Sequence, residues 1–199
     1  QFFLENSDIF GSNGFSSINP FFSRRIGVAE DTLTGTTVQN TIYGGARLSG
    51  KINDDWRVGL MSMQTGSDEM RGIPSSNFSV ASLQRKVGAR SFASIVAVNK
   101  QVSGEEENID INSYNRVIGV DYNLASADNV WNGKAFLHRS FTPGESENQM
   151  AHGMSLEYRV RKIQLNWEHQ YVGDGYNAEV GFVRRTNYYS IQPEMTLFF

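Results

Sequence analysis

Two-residue alternation of apolar and polar side chains is the feature of this sequence that most narrows its fold. In 162–172, KIQLNWEHQYV, Ile163, Leu165, Trp167, His169 and Tyr171 fall on one side of an extended chain, and Gln164, Asn166, Glu168 and Gln170 fall on the other. Successive strand side chains point to opposite faces, so only a β-strand sorts these residues. The segment 148–160 repeats the pattern, with Met150, Met154, Leu156, Tyr158 and Val160 opposite Gln149, Gly153, Ser155, Glu157 and Arg159. The split recurs at 116–124 and 42–52, and less cleanly at 55–65, 130–141 and 190–199. Segments 77–87 and 89–100 are rich in strand formers, but residue type alone does not assign their faces. No comparable 3.6-residue pattern occurs, so nine strands and essentially no helix are expected.

The connections then narrow the architecture. Those near 53–55, 88–89, 126–129 and 161–162 are short; those near 66–76, 102–110, 142–147 and 173–188 are longer and rich in Gly, Ser, Asn, Asp, Glu and Pro. Strict short–long alternation is the habit of outer-membrane barrels, with tight periplasmic turns and long extracellular loops. The expected fold is therefore all-β: an antiparallel up-and-down transmembrane β-barrel of the outer-membrane type, complete or part of a larger barrel. Residues 40–199 supply its strands. Residues 1–39, with Phe2, Phe3, Phe10, Phe15, Phe21 and Phe22 beside Glu5, Asp8, Arg24 and Arg25, lack alternation and form a plug, a surface segment or a first strand. Bacterial single-chain barrels have even strand numbers, so nine strands require a tenth from 1–39 or a larger sheet. Ile118, Val120, Leu156, Tyr158, Leu165, Trp167 and Leu197 should face lipid. Arg47, Lys51, Arg57, Asp121, Lys134, Glu157, Arg159 and Glu168 should face the lumen and pair across strands, because unpaired charge in a narrow lumen is costly.

Composition removes several other classes. A net charge of −3 leaves no basic excess to draw nucleic acid. The absence of cysteine excludes disulfides and thiolate metal sites. No apolar run approaches the ~20 residues of a spanning helix; Phe92–Val98 is the best and contains two serines. A mean hydropathy of −0.40 does not discriminate, since a barrel with a polar lumen also averages as hydrophilic. Gln1 opens without a basic region and apolar stretch, so a mature chain or an excerpt is expected. The implied location is the outer membrane of a Gram-negative bacterium. The implied partners are membrane lipid and the barrel-assembly machinery, the latter through Glu194–Phe199, which sets Met195, Leu197 and Phe199 on one face and ends on an aromatic. An ordinary edge strand reads the same way.

Few residues suggest chemistry. His138 and Ser140 share a strand face and could form a nucleophile–base pair, yet no third group (Asn132, Asp121 or Asn148) is placed by the sequence to orient the histidine. The reading therefore leans away from an enzyme. His152 and His169 read as rim residues rather than metal ligands, and no cofactor is implied. The run Glu105-Glu106-Glu107 with Asp110 lacks the interleaved pattern of a calcium loop and reads as a solvated tip. Trp56, Trp131, Trp167 and Tyr188 read as interfacial girdles before sugar platforms.

Six stretches in order, FFLENSDIF, NPFFSRRIG (19–27), GGARLSGK (44–51), YNRVIGVDYNL (114–124), FTPG (141–144) and GFVRR (181–185), resemble a family of Bacteroidota surface proteins. Its motif falls here on Phe2, Phe3, Glu5, Asn19, Pro20, Arg24 and Arg25. The resemblance implies an uncharacterised outer-membrane barrel domain that follows a carbohydrate-binding domain similar to family 9 and is extended by further strands. Neither addition lies within the 199 residues, which leaves closure open. Three functions follow: a barrel for transport, anchoring or assembly; a glycan-handling surface module, if 66–76 or 173–188 present exposed aromatics, with glycan or another surface protein as partner; and a barrel hydrolase, if His138 and Ser140 meet.

Overall fold

The computed structural model describes residues 8–103, 113–144 and 147–199. A short helix α1 (Asp8–Gly11) is followed by β1 (Ile18–Asn19), β2 (Val28–Glu30) and β3 (Thr37–Gln39). Then come β4 (Ile42–Lys51), β5 (Trp56–Thr65), β6 (Ser75–Val87), β7 (Ser91–Ser103), β8 (Tyr114–Ala125), β9 (Trp131–Phe141), β10 (Met150–Val160) and β11 (Ile163–Val172). Two more follow, β12 (Phe182–Val183) and β13 (Tyr188–Leu197). The nine long strands form one antiparallel sheet, each paired with its sequence neighbour from β4 to β11 and then with β13. All nine expected strands are present and the short and long connections alternate as read.

The sheet is not closed. β4 and β13 stand at its two ends, and no pairing joins them among the described residues. Pro193 lies in the edge strand β13, where its missing N–H costs the ladder least. Of the roles foreseen for 1–39, that of a strand in the large sheet is not met by any described residue. β1 pairs with β12, and β2 with β3.

Register separates the two faces. The row Arg57, Gln84, Ser94, Asp121, Phe136, Gly153, Gln170 and Ser190 runs across eight strands on one face. The adjacent row, Val58, Leu83, Ile95, Val120, Leu137, His152, Tyr171 and Tyr189, lies on the other. The N-terminal segment packs on the first face, termed here the covered face. Ile9, Phe10, Ile18, Phe21 and Ile26 bury against Met61, Met63, Phe78, Val80, Val96, Val98, Val117 and Phe136, joined by Tyr176, Ala178 and Val180 from the β11–β12 connection. This explains the ambiguous faces of 77–87 and 89–100. On β6 and β7 the covered face carries this core while the open face also carries Leu83 and Ile95, so both sides are apolar.

Candidate functional site

Beneath the N-terminal segment the covered face holds a buried polar centre. Asp121 on β8 and His138 on β9 are both buried, with Asp121 Oδ2 3.0 Å from His138 Nε2. The other oxygen, Oδ1, accepts the Gly14 N–H at 2.5 Å. Lys134 Nζ donates to the Ser12 carbonyl. Asn13 accepts from Ser94 at 3.2 Å and donates to the Phe10 carbonyl at 3.2 Å. The short stretch 12–14 is thus held by three strands at once. Two glycines make this possible. Gly14 has φ +65°, and a Cβ there would lie 2.0 Å from the Ile18 carbonyl oxygen; a Cβ on Gly119 would meet the His138 ring at 2.2 Å. Burial, then the charge of Asp121, pushes the Tyr176 hydroxyl well above its ordinary pKa, so it stays neutral. His138 Nδ1, Asn123 Nδ2 and the Tyr176 hydroxyl are buried with no hydrogen-bond partner among the described residues.

His138 does acquire an orienting carboxylate, but Ser140 is not its partner. The Ser140 hydroxyl accepts the Asn177 N–H at 3.0 Å and reaches the carbonyls of Gln149 and Gly175 at 3.5 Å. No hydrogen bond joins it to His138 among the described residues, and both side chains are fully buried. Ser140 instead ties down 173–181, as does Asn115. The Asn115 amide donates to the Asn177 carbonyl at 3.0 Å and to Thr142 Oγ1 at 2.9 Å, and its oxygen accepts the Glu179 N–H at 3.1 Å. Neither Asn115 nor Gly14 was foreseen; the only sequence signal for Gly14 was a glycine among small residues inside an aromatic-rich segment. The loop 173–188 does not present Tyr176 to solvent, because it is buried.

The eight residues expected to face a lumen share one face of the sheet by register, the covered face. Of the cross-strand pairs and hydrogen-bond networks expected of them, Asp121–His138 at 3.0 Å and Arg57–Gln84 at 3.0 Å do cross strands. At one position the register instead places Lys51 directly opposite Arg57, a like-charge pair. Arg57 pairs with Asp8 of α1 at 2.6 Å and reaches Gln84 at 3.0 Å. Lys134 and Asp121 likewise find partners in the N-terminal segment, and Glu168 accepts from Gln170 at 2.6 Å. Arg47 stacks over Phe10 at 4.9 Å. Lys134, Glu157, Glu168 and Glu194 border a polar recess of about 660 Å³ whose described lining includes no residue of the N-terminal segment.

The Asp8–Arg57 pair carries a pH prediction. Hydrogen bonding to Arg57 holds the Asp8 carboxyl below its ordinary value. A depressed carboxylate contributes stability above its unfolded pKa and loses it as pH falls through the folded one. Asp8→Asn should therefore cost under ~1 kcal/mol near neutrality, since the carboxyl is half exposed. Denaturant titrations of the two proteins should converge below pH 3.8. A difference that persisted at low pH would point to packing instead.

The open face carries the residues expected to meet lipid: Ile118, Val120, Leu156, Tyr158, Leu165, Trp167 and Leu197. Trp56 and Trp131 share it, and Trp131 packs on Tyr158 at 4.8 Å. At the long-connection side, His152 stacks on Tyr171 at 5.1 Å and approaches His169 at 5.7 Å. Tyr188 departs from the girdle expectation: it takes the covered face and donates its hydroxyl to Gln170 at 2.6 Å. Of the motif residues, Asn19 caps the Phe21 N–H at 2.9 Å, Pro20 is fully buried, and Arg24 and Arg25 form a 3-10 turn. Phe2, Phe3 and Glu5, and the run Glu105–Glu107 with Asp110, lie outside the described residues. No family model, curated protein or solved structure matches the chain.

Proposed function

We propose that this chain is a membrane-embedded part of an outer-membrane β-barrel of a Gram-negative bacterium, with residues 8–26 and 173–181 filling its lumen, and that it serves anchoring or assembly at the cell surface. The observation that carries the reading is an inside-out distribution of side chains. Leu48 (63%), Ile95 (54%), Ile118 (52%), Val120 (50%) and Met195 (64%) are exposed on the open face, while Asp121 and His138 are buried on the covered one. Water does not tolerate a contiguous apolar sheet face of this extent; hydrocarbon requires it. Backbone amides in lipid must also be paired within the protein, which a meander of neighbouring strands satisfies everywhere except at its edges. In this reading the free edges of β4 and β13 are covered by strands beyond these nine. Tryptophan and tyrosine toward the strand ends match the interfacial belts of such proteins. The resemblance to the Bacteroidota barrel domain points the same way.

All three tryptophans lie on the open face, which makes them the reporters. Folded into vesicles of brominated-chain lipid, the protein should lose most of its tryptophan fluorescence relative to unbrominated vesicles. Unchanged fluorescence, with the sheet formed by circular dichroism, would reject the membrane reading.

A further inference from the structure

The ionisable residues of the nine strands divide unequally between the faces. Every described strand carboxylate, Asp121, Glu157, Glu168 and Glu194, stands on the covered face. The open face carries Arg85, Arg116 and Arg139, with His152 and His169 beside them but no described carboxylate. Each guanidinium lies over an aromatic ring on the same strand or its neighbour, Arg85 over Trp56 at 5.3 Å, Arg116 over Tyr114 at 4.2 Å and Arg139 over Phe141 at 5.1 Å. None makes an ion pair among the described residues. Arg116 and Arg139 stand close to the long-connection ends of β8 and β9. Arg116 pairs in register with Phe141, so Arg139 is its diagonal neighbour, at a Cβ separation of roughly 7–8 Å. Arg116 is held by Asn99 at 3.0 Å and Gln101 at 3.4 Å, both neutral acceptors, which orient the guanidinium without a counter-charge among the described residues.

Two aromatic-backed guanidiniums with no ion pair among the described residues, at the margin of an apolar band, have one natural counterpart. A planar fork of N–H donors matches phosphate oxygens, while the neighbouring apolar side chains match acyl chains. We infer that Arg116 and Arg139 form a binding site for the phosphate of an anionic membrane lipid at the long-connection rim of the sheet. The inference rests on the membrane reading above and adds the headgroup class that the surface selects. Arg85, alone at the opposite rim beside Trp56, is a single anchor of the same kind.

The test is lipid retention by the full chain. The protein is folded into vesicles of mixed phosphatidylglycerol and phosphatidylcholine, extracted, and its bound lipids counted by native mass spectrometry; quenching by brominated lipid is read in parallel. Wild type should retain phosphatidylglycerol preferentially, and R116Q and R139Q should each lower that preference roughly fivefold. K51Q/K86Q removes two positive charges from the covered face and should leave the preference unchanged. Insertion without a preference, or an equal loss in K51Q/K86Q, overturns the headgroup site while leaving the membrane reading in place. Full competition by inorganic phosphate overturns the assignment to a lipid. Failure to insert at all overturns both.

Discussion

Val120→Arg is expected to destabilise the folded protein in vesicles by about 2–4 kcal/mol, the cost of a cation on a lipid-facing strand near the bilayer midplane. Val120 lies near the middle of β8 on the open face, between Ile95 and Leu137 of the neighbouring strands. It is half exposed, so in water the same change would stay within roughly 0.5 kcal/mol, as for most surface sites. The two environments therefore differ by roughly one to two and a half orders of magnitude in the folding equilibrium. Urea-driven unfolding from vesicles measures this directly. An Arg variant with the wild-type midpoint would mean that the open face is met by water or protein, and the barrel reading would fall.

Asp121→Ala should release the N-terminal segment. The substitution removes the acceptor for the Gly14 N–H, strips His138 of its hydrogen-bond partner, and deletes the buried charge that faces Lys134. Leaving a buried donor without its acceptor costs about 1–3 kcal/mol, and Asp121→Ala does so to both the Gly14 N–H and His138. Protection of residues 8–26 against protease should fall by roughly a hundredfold or more, while the long strands remain protected. Gly14→Val, which places a side chain at a positive φ against the Ile18 carbonyl, should act in the same direction by a different route. If amide exchange of 8–26 were unchanged in both variants, the segment would be held by Ile9, Phe10, Ile18 and Phe21 alone, and the polar centre would not be its anchor.

What the sequence determined by itself was the sheet and its two faces. Side-chain alternation is local and has an unambiguous period in β10 and β11, where one face is polar from Ser155 to Arg159 and from Gln164 to Gln170, so Leu156, Trp167, Glu157 and Glu168 could be sorted without coordinates. The same rule failed on β6 and β7, because Phe78, Val80, Val96 and Val98 are apolar on the covered face for a reason no neighbour in sequence reveals: Ile9, Phe10, Ile18 and Phe21 pack on them. The charges show the same limit. That Asp121, Lys134 and Arg57 face inward is written in strand parity, but their partners, Gly14, Ser12 and Asp8, lie 107, 122 and 49 residues away in the chain. Contacts of that separation are set by how the irregular segment folds over the sheet, and irregular backbone carries no periodicity to read. Ser140 and His138 mark the boundary most sharply. Spacing placed them on one face, and only the tertiary structure, by bringing 173–181 onto Ser140 and Asp121 onto His138, decided that each is bonded to other groups rather than to the other.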